Sequence, residues 1–423
     1  MNFWYTFSTY LLYPFASFFL FIRRLKKKEH PYRYVEKLGK TNKAREKGFL
    51  LWCHAASVGE TMSILPLIEN FEKNEKINKI LITTITLSSS KILEKKFSQS
   101  NKIIHQFLPL DIPIFINSFL NHWTPNLSLF VDSEIWPNLI SQIKKKKIPL
   151  LLVNGRITSK TFNRWKFLKN FSKKIFSKFD LCIAADQKTT EYLKILGASK
   201  IKYYGNLKFS DIGSKKEIKL DSALQKKILN RKIWCASSTH NSEEIFCAKT
   251  HLIIKKTFND ILTVIVPRHI DRSQKIKNEL TLLNLNVVLY SNVDQINNST
   301  DILLIDAYGE TKKFYDISKC VFLGKSLIKA RAEDGGQNPI EPSRLGCKIF
   351  HGPYVSNFEE VYKYLSSLNV AKEISGEEDL AQSIVEELNL NNEKDQQAIK
   401  KIENFGENTL NSVLEEIKVY TNN

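Results

Sequence analysis

The sequence predicts an α/β protein of two Rossmann-like, doubly wound domains that face a central cleft, preceded by an apolar membrane-anchor helix. Three observations predict this arrangement. From residue 48 onward, short apolar runs alternate with helical patterns, which is typical of βαβ units and a parallel sheet. The alternation occurs twice, on either side of a polar, lysine-rich stretch at residues 205–227. Residues 3–22 carry no charge.

Ten apolar runs are the predicted strands. They are residues 49–53, 79–83, 127–131, 149–153 and 180–184 in the first half, and residues 232–236, 261–266, 286–290, 301–305 and 320–323 in the second. Helical patterns fill the gaps, and residues 205–227 are the predicted linker. Two doubly wound sheets place a ligand cleft between the loops at the carboxyl ends of their strands. The predicted domains are residues 29–212 and 213–423, and we expect the last helix to pack back on the first domain.

Residues 1–28 are predicted to anchor the chain to a membrane. The uncharged run has about the 20 residues that a helix needs to cross a bilayer, and five basic residues follow it, Arg23, Arg24, Lys26, Lys27 and Lys28. A cleaved signal peptide carries its positive charges first, and the positive-inside rule leaves the body of the chain in the cytoplasm. Because Pro14 can kink the segment, a spanning helix and an interfacial helix both stay open. The alternative is an apolar helix packed on the soluble domain.

Charge and cysteine spacing narrow the function classes. The formal net charge of +19 indicates an anionic partner, although a lysine-rich solvated surface needs none. No arginine-rich tail, zinc finger or aromatic RNA-binding motif is present, which speaks against nucleic acid. The six cysteines lie far apart without a C-x-x-C pair, so we predict reduced thiols and no metal site. Gly324-Lys325-Ser326 is no P-loop, because Lys319 stands where the upstream glycine is required.

Polar residues cluster after the predicted strands of the first half. Glu60 opens a helix, where it either complements the helix dipole or accepts the proton of an attacking hydroxyl. Asp132 and Glu134 follow another strand, and they either cap a helix or position sugar hydroxyls and tune a neighbouring acid. Arg156 and Lys208 add two cations to the same rim, unless both are simply solvated.

The second half carries four clusters of this kind. A strand-to-helix junction with free backbone amides is a ready phosphate site, and a glycine pair lets the backbone approach a ligand closely. A carboxylate early in a helix can hold ribose hydroxyls. The clusters are Ser237 with Ser238; Arg268 with His269; Gly309, Glu310 and Thr311; and Gly335, Gly336, Gln337 and Asn338 with Glu341.

These motifs resemble those of the transferases of 3-deoxy-D-manno-octulosonic acid (Kdo). W-x-H-A-A-S-V-G-E, S-E-I-W-P-N, N-G-R, G-N-L-K-F, S-T-H-x-x-E-E, V-P-R-H and G-G-x-N-P-I-E-P occur in that family's order and approximate spacing, from about Trp52 to Tyr354. The resemblance implies a GT-B glycosyltransferase that inverts the anomeric carbon and uses neither a metal ion nor another cofactor. It implies CMP-Kdo as donor, the lipid A precursor (lipid IVA) as acceptor, and a place on the cytoplasmic side of the inner membrane in lipopolysaccharide biosynthesis.

The resemblance also implies residue roles. Glu60 would be the general base, and Asp132, Glu134 and Lys208 would stabilise the transition state in an acceptor-binding domain. The second domain would hold CMP through Ser237, Ser238, Arg268, His269, Gly309, Glu310, Thr311, Gly335, Gly336, Gln337, Asn338 and Glu341. Two residues depart from the family pattern: Asp132 stands where glutamate is common, and Gln337 stands where histidine is usual. The first departure leaves open which of Asp132 and Glu134 acts.

Two other functions stay open. Another GT-B enzyme, such as a heptosyltransferase or a nucleotide-sugar epimerase, would be expected to lack the Glu60 cluster together with S-E-I-W-P. A membrane-tethered nucleic-acid-binding protein would bind DNA in a salt-sensitive manner with no effect of CMP. The number of Kdo units added and the oligomeric state do not follow from the sequence.

Overall fold

The chain forms two compact α/β units. The computed structural model describes residues 2–210, 220–228, 230–329, 335–390 and 394–421. One unit comprises Met1–Ile212 with Phe405–Asn423, and the other comprises Gly213–Asn404. Each unit contains one seven-stranded sheet whose paired strands run parallel. The predicted fold class of two doubly wound sheets is therefore confirmed.

The first sheet has the strand order β3-β2-β1-β4-β5-β6-β7, so the chain changes direction across the sheet between β1 and β4. The strands are β1 Leu50–His54, β2 Lys79–Thr84, β3 Ile103–Phe107, β4 Leu127–Val131, β5 Leu150–Gly155, β6 Leu181–Ala184 and β7 Ile201–Tyr203. The helices are α1 Asn2–Leu25, α2 Val58–Glu72, α3 Leu87–Lys96, α4 Pro113–Trp123, α5 Pro137–Lys145, α6 Ser159–Phe167, α7 Lys169–Phe176 and α8 Gln187–Leu196.

The second sheet has the order β10-β11-β9-β8-β12-β13-β14, with the corresponding change of direction between β8 and β12. The strands are β8 Lys232–Thr239, β9 Ile261–Pro267, β10 Val287–Leu289, β11 Ile302–Leu304, β12 Cys320–Leu323, β13 Lys348–His351 and β14 Ala371–Glu373. The helices are α9 Ser222–Ile228, α10 Glu243–Lys255, α11 Ser273–Thr281, α12 Thr311–Ile317, α13 Ile340–Arg344, α14 Glu359–Ser367, α15 Glu377–Asn389 and α16 Gln396–Thr421.

The central strands are buried on both faces, which explains why they read as continuous apolar runs. All five residues of β1 are buried. Leu50 and Trp52 pack into one hydrophobic cluster, whereas Leu51 and Cys53 pack into another. Because successive side chains of a strand point to opposite faces, the two clusters are the two layers between this sheet and its helices.

All ten predicted strands exist, but four further strands, β3, β7, β13 and β14, were not predicted. The predicted linker is described only in part, because residues 211–219 lie outside the described residues. The described part of this linker contains the 3₁₀ turn Leu207–Ser210 and most of α9. Helical structure is therefore present near both ends of the predicted linker.

Helix α1 is an apolar segment of 24 residues. By length and composition, Phe3–Leu25 could cross a membrane, and it alone meets this criterion in the part of the chain that the structure describes. Ala16 and Leu20 are buried against Leu38, Ile112 and Phe115. One side of α1 is therefore packed on the first unit, while most of its large apolar side chains stay exposed.

Candidate functional site

The predicted catalytic residues of the first unit lie where its sheet changes direction. Glu60 follows β1 near the start of α2, and Asp132 and Glu134 follow β4, the strand paired with β1. Lys208 lies in the 3₁₀ turn after β7. Ligands of open α/β sheets bind outside the carboxyl ends of strands at such a switch point, so the local topology favours a site here.

Glu60 caps its own helix. Ser57 is the N-cap of α2, and a reciprocal capping box joins it to Glu60. Glu60 Oε2 accepts the backbone N–H of Ala56 at 2.7 Å, and Ser57 Oγ donates to Glu60 Oε1 at 2.8 Å. These bonds fix the carboxylate in a half-buried position. A carboxylate has about four lone-pair sites, so the cap leaves acceptor capacity for a substrate hydroxyl.

The charge around Glu60 favours its protonated form. Burial raises the pKa of Glu60, and the charges of Glu134 and Asp132 raise it further. Hydrogen bonds from Ser57 and Ala56 act in the opposite direction and do not cancel the shift. A carboxylate with a raised pKa is a stronger proton acceptor, which is the property that a general base near neutral pH needs.

Asp132 adopts an unusual backbone conformation beside two cations. Its φ of 60° lies in the left-handed region, as does that of Asn154, at 51°, on the neighbouring strand β5. The N–H of Arg156 donates to the carbonyl of Asp132 at 3.2 Å, and the N–H of Leu207 donates to Asn154 Oδ1 at 2.9 Å. These bonds tie the loops after β4, β5 and β7 together. Backbone outliers of this kind concentrate at functional sites.

Lys208 and Arg156 act electrostatically on this acid. Burial raises the pKa of Asp132, and the positive charges of Lys208 and Arg156 oppose that rise. Burial also lowers the pKa of Lys208, against the charges of Asp132 and Glu60. The four predicted catalytic residues therefore form one interacting cluster, to which Arg156 belongs as well.

Glu134 contacts an indole and an imidazole ring. The indole Nε1–H of Trp136 donates to Glu134 Oε2 at 2.7 Å, and Nε2 of the buried His54 lies 3.1 Å from the same oxygen. Burial raises the pKa of Glu134, but the interactions with His54 and Trp136 outweigh it, so the net pKa is lowered. The pKa of Glu134 is therefore shifted in the direction opposite to the pKa values of Glu60 and Asp132, which favours the charged form of Glu134.

In the second unit, Ser237 and Ser238 lie at the end of β8. Ser237 is buried, and its Oγ lies 2.6 Å from the hydroxyl of Tyr315. The pairing of β8 with β9 shifts register between Ser237 and Thr239, and Ser238 has a φ of 54°. Ser238 is thus a bulge residue. Bulges re-aim a side chain next to functional sites.

A buried carboxylate holds the loop after β12 against this strand end. Glu243 Oε2 accepts the N–H groups of His240 and Lys325 at 2.9 and 2.7 Å, and Oε1 accepts that of Ser326 at 3.0 Å. The backbone N–H groups of Lys325 and Ser326 therefore donate to an internal carboxylate, and that of Gly324 donates to the carbonyl of Ser237. This geometry agrees with rejecting the run as a phosphate loop.

Two of the predicted nucleotide residues, Glu310 and Glu341, form ion pairs with lysines, and two others are exposed cation or imidazole side chains. Arg268 and His269 are exposed after β9. Glu310 Oε2 accepts from the hydroxyl of Tyr290 at 3.0 Å and pairs with Lys313 at 2.5 Å. Glu341, on α13, pairs with Lys312 at 2.8 Å. Because Lys312 and Lys313 both lie on α12, that helix links the two predicted acids to each other.

The glycine-rich loop before α13 packs closely on a neighbouring segment. Gly336 has a φ of 81°, and a Cβ there would lie 2.8 Å from Cα of Val355. A Cβ on Gly335 would lie 2.4 Å from the carbonyl of Tyr354. Gln337 accepts the hydroxyl of Tyr362 at its carbonyl, and Asn338 Oδ1 accepts the N–H of Ile340. The loop needs glycine at both positions.

The structure thus places the predicted residues in two groups. Glu60, Asp132, Glu134 and Lys208 interact in the first unit, while the predicted CMP ligands belong to the second, at the end of β8 or in the segments that follow β9, β11 and β12. Gly309 and Thr311 flank Glu310 at the start of α12. No group of His, Cys, Asp or Glu suited to hold a metal ion occurs among the residues with a defined placement. Sequence reasoning did not select His54 and Glu243, although both stand inside the motifs.

Comparison with known proteins places the chain in a family. The profile described as "3-Deoxy-D-manno-octulosonic-acid transferase (kdotransferase)" matches residues 32–211. The 3-deoxy-D-manno-octulosonic acid transferase of Rickettsia bellii is 31% identical over 97% of this chain and 94% of its own length. The chain belongs to the Kdo transferase family. The resemblance inferred from the motifs is confirmed, and this Kdo transferase is a glycosyltransferase.

Other similarities extend this result. The 3-deoxy-D-manno-octulosonic acid transferase of Haemophilus influenzae is 29% identical over 92% of this chain and 90% of its own length. Among solved structures, the UDP-GlcNAc 2-epimerase of Neisseria meningitidis has a TM-score of 0.57 at 14% identity, over 87% of this chain and all of that one. The second similarity shows the GT-B fold. The region matched by the family profile contains all four predicted catalytic residues of this Kdo transferase.

Proposed function

We propose that this protein transfers Kdo from CMP-Kdo to the lipid A precursor lipid IVA, with inversion and without a metal ion or other cofactor. One observation carries the proposal. Glu60, with a raised pKa, interacts with Asp132, Glu134 and Lys208 where the first sheet changes direction. The relatives that span nearly the whole chain are named as transferases of this sugar.

In the proposed reaction, Glu60 takes the proton of an acceptor hydroxyl as that oxygen attacks the anomeric carbon of Kdo. A new glycosidic bond forms, and the bond from the anomeric carbon to the phosphate oxygen of CMP breaks in the same displacement. CMP leaves with that electron pair. Attack from the face opposite to the leaving group inverts the anomeric carbon. Lys208, whose charge interacts with both Asp132 and Glu60, would offset negative charge that develops during the step.

We propose further that the second unit binds the CMP portion of the donor. The bulge at Ser238, the exposed Arg268 and His269, and the acids Glu310 and Glu341 offer a backbone turn, cations and carboxylates. Such groups suit phosphate and ribose hydroxyls. Residues 29–212 would bind the acceptor, and α1 with its basic flank would hold the protein on the cytoplasmic side of the inner membrane.

The decisive experiment is transfer by the purified protein and its Glu60→Gln variant. Wild-type protein is incubated with lipid IVA and a CMP-Kdo generating system, and product mass gives the number of Kdo units added. Glutamine fits the capping box as well as glutamate does but cannot accept the proton. We expect transfer to fall by roughly 10²–10⁴-fold while CMP affinity is unchanged.

Ser57→Ala is the matched control, because it breaks the same capping box without removing the proposed base. It should lower stability more than Glu60→Gln does, yet keep far more activity. The reverse ranking of activities would show that Glu60 serves only as a cap. Activity that survives exhaustive treatment with EDTA, and an inverted anomeric centre by NMR, are the expected results for the metal-free displacement.

A further inference from the structure

Helix α1 contacts the rest of the first unit from its first turns to its last. The residues that do so, Tyr5, Thr9, Tyr13, Ala16 and Leu20, recur at intervals of three or four, which is one face of an α-helix. Near the start of the helix, the contacts are hydrogen bonds. Near its end, Ala16 and Leu20 are buried in a small hydrophobic cluster. The contact face therefore runs from one end of α1 to the other.

The polar contacts are specific. The hydroxyl of Tyr5 donates to Asp111 Oδ2 at 2.8 Å, and that of Thr6 donates to Asn138 Oδ1 at 2.7 Å. Asn138 Nδ2 donates to Thr9 Oγ1 at 2.9 Å. Asn138 is 4% exposed, so its amide depends on these partners. A helix that left the body of the protein to cross a bilayer would break all three bonds.

The opposite face of α1 is apolar and open. Phe3 and Trp4 are 70% and 66% exposed, and Leu11, Phe15 and Phe18 are each more than half exposed. Contiguous apolar surface of this size on a soluble protein marks an interaction site. Two further large apolar residues, Ile114 and Phe167, are exposed in segments that contact α1 through Phe115 and Phe171.

Exposed basic residues near this apolar face indicate that it binds an anionic surface. Lys26, Lys27 and Lys28 are exposed directly after the helix. Lys160, Arg164, Lys166 and Lys169 flank Phe167 in the sequence and are exposed as well. An apolar helix face rimmed by lysine and arginine is typical of binding to anionic lipid in the plane of the interface. Tyr10 and Tyr13 lie mid-helix, whereas interfacial aromatic residues of spanning helices lie near the ends.

We propose that α1 lies in the plane of the membrane surface, locked onto the first unit by Tyr5, Thr6 and Thr9, with its open face in anionic lipid. This inference deepens the proposed membrane attachment and does not depend on the transfer reaction. In this arrangement both ends of α1 stay on the same side of the bilayer. The first unit, held by Asp111 and Asn138, is fixed at the lipid surface.

A cysteine pair separates a docked helix from a spanning one. All six native cysteines are buried, so introduced thiols react against a low background. In the full chain, Tyr13→Cys with Phe115→Cys, a pair that leaves Tyr5, Thr6, Thr9 and Asn138 in place, should cross-link with a short dithiol reagent on phosphatidylglycerol-containing vesicles and in solution alike. Phe15→Cys with Phe115→Cys is the control, because Phe15 is exposed on the opposite face of α1. Loss of the cross-link on vesicles would show a spanning helix and overturn the proposal.

The lipid contact is tested by flotation. Replacing the outward residues Phe7, Leu11 and Phe18 with serine should weaken binding to those vesicles by more than about tenfold, because each large apolar side chain adds to partitioning. Leu282→Ser, at an 84% exposed site of the second unit, should have no effect. Equal binding to neutral phosphatidylcholine vesicles, or wild-type binding by the triple variant, would overturn the proposal. So would a wild-type dimer by light scattering that the triple variant cannot form.

Discussion

The predicted catalytic acids of the first unit differ in the residues that surround them, and so in the direction of their pKa shifts. Glu134 interacts with His54 and Trp136 and keeps its charge, whereas burial and neighbouring charge raise the pKa of Glu60. Acids whose surroundings push their pKa values apart are a common way to assign acid–base roles. The environment thus favours Glu60 as the proton acceptor and Glu134 as a fixed negative charge.

A pH profile tests this division. The base is active when ionised, so turnover should fall as pH drops through the pKa of Glu60, above the ordinary glutamate value. Glu134→Gln removes a negative charge that raises this pKa, and the acid limb of kcat/KM should therefore move to lower pH. Glu69→Gln, a partly exposed site later on α2, is the control. An acid limb that stays in place or moves to higher pH contradicts the assignment.

Arg268 provides a residue-scale test of the donor site. Hydrogen bonds to charged groups contribute about 1.5–3 kcal/mol, so Arg268→Ala should weaken CMP binding at least about tenfold by calorimetry. Lys275→Ala, an exposed cation on α11, should leave the affinity unchanged. CMP affinity that is equal in both variants would remove Arg268 from the site.

The sequence shows where the candidate site residues stand in the chain but not which residues they contact. Glu60, Asp132 and Lys208 follow strands, and position after a strand is visible in the chain. The contact between His54 and Glu134 joins residues 80 positions apart, so no local pattern reports it. The role of Glu243 has no local signal either, because its acceptance of amides more than 80 residues away depends on the pairing of β8 with β12.

At the scale of elements, fully buried apolar strands were predictable and the others were not. In β3, His105 and Gln106 are buried polar residues, so the strand does not read as apolar; a ring nitrogen of His105 lies 2.9 Å from Thr84 Oγ1, and Gln106 Oε1 accepts from the indole of Trp123. Strands β7 and β14 are three residues long and lie at sheet edges with exposed residues. Short edge strands of this kind carry little hydrophobic pattern.

The prediction at this scale concerns Glu243, whose carboxylate accepts backbone N–H groups of the loop after β12. Glutamine has one acceptor oxygen, and its amide NH2 group would face backbone N–H groups that donate hydrogen bonds to the carboxylate. Glu243→Gln should therefore lower the free energy of unfolding by about 1–3 kcal/mol and weaken CMP binding. Glu279→Gln, in an exposed ion pair, should change neither. Thermal unfolding and calorimetry measure both quantities, and a variant with wild-type stability would show that the loop does not depend on this carboxylate.

At the scale of the whole molecule, helix α1 has one face packed on the protein and one face open to a membrane. Its inner face buries Ala16 and Leu20, and its outer face is open. Deleting residues 1–28 should release the protein from membranes and lower its melting temperature, because Leu38, Ile112 and Phe115 lose apolar cover. CMP binding should persist, since the predicted ligands lie in the other unit. Sedimentation, thermal melts and calorimetry follow the three outcomes, and loss of CMP binding would contradict the independence of the units.

Helix α16 begins in one unit and ends in the other. Its residues Leu410, Val413, Leu414 and Ile417 belong to the hydrophobic cluster of the first sheet, beside Leu51 of β1. On the ribosome, the first unit therefore emerges first and is completed last. At synthesis rates of about 5–20 residues per second, the chain between Ile212 and Phe405 takes roughly 10–40 s to appear. During that interval one layer of the nascent first unit lacks the cover that α16 provides, so we expect its apolar residues to stay exposed until residues 405–421 are synthesised.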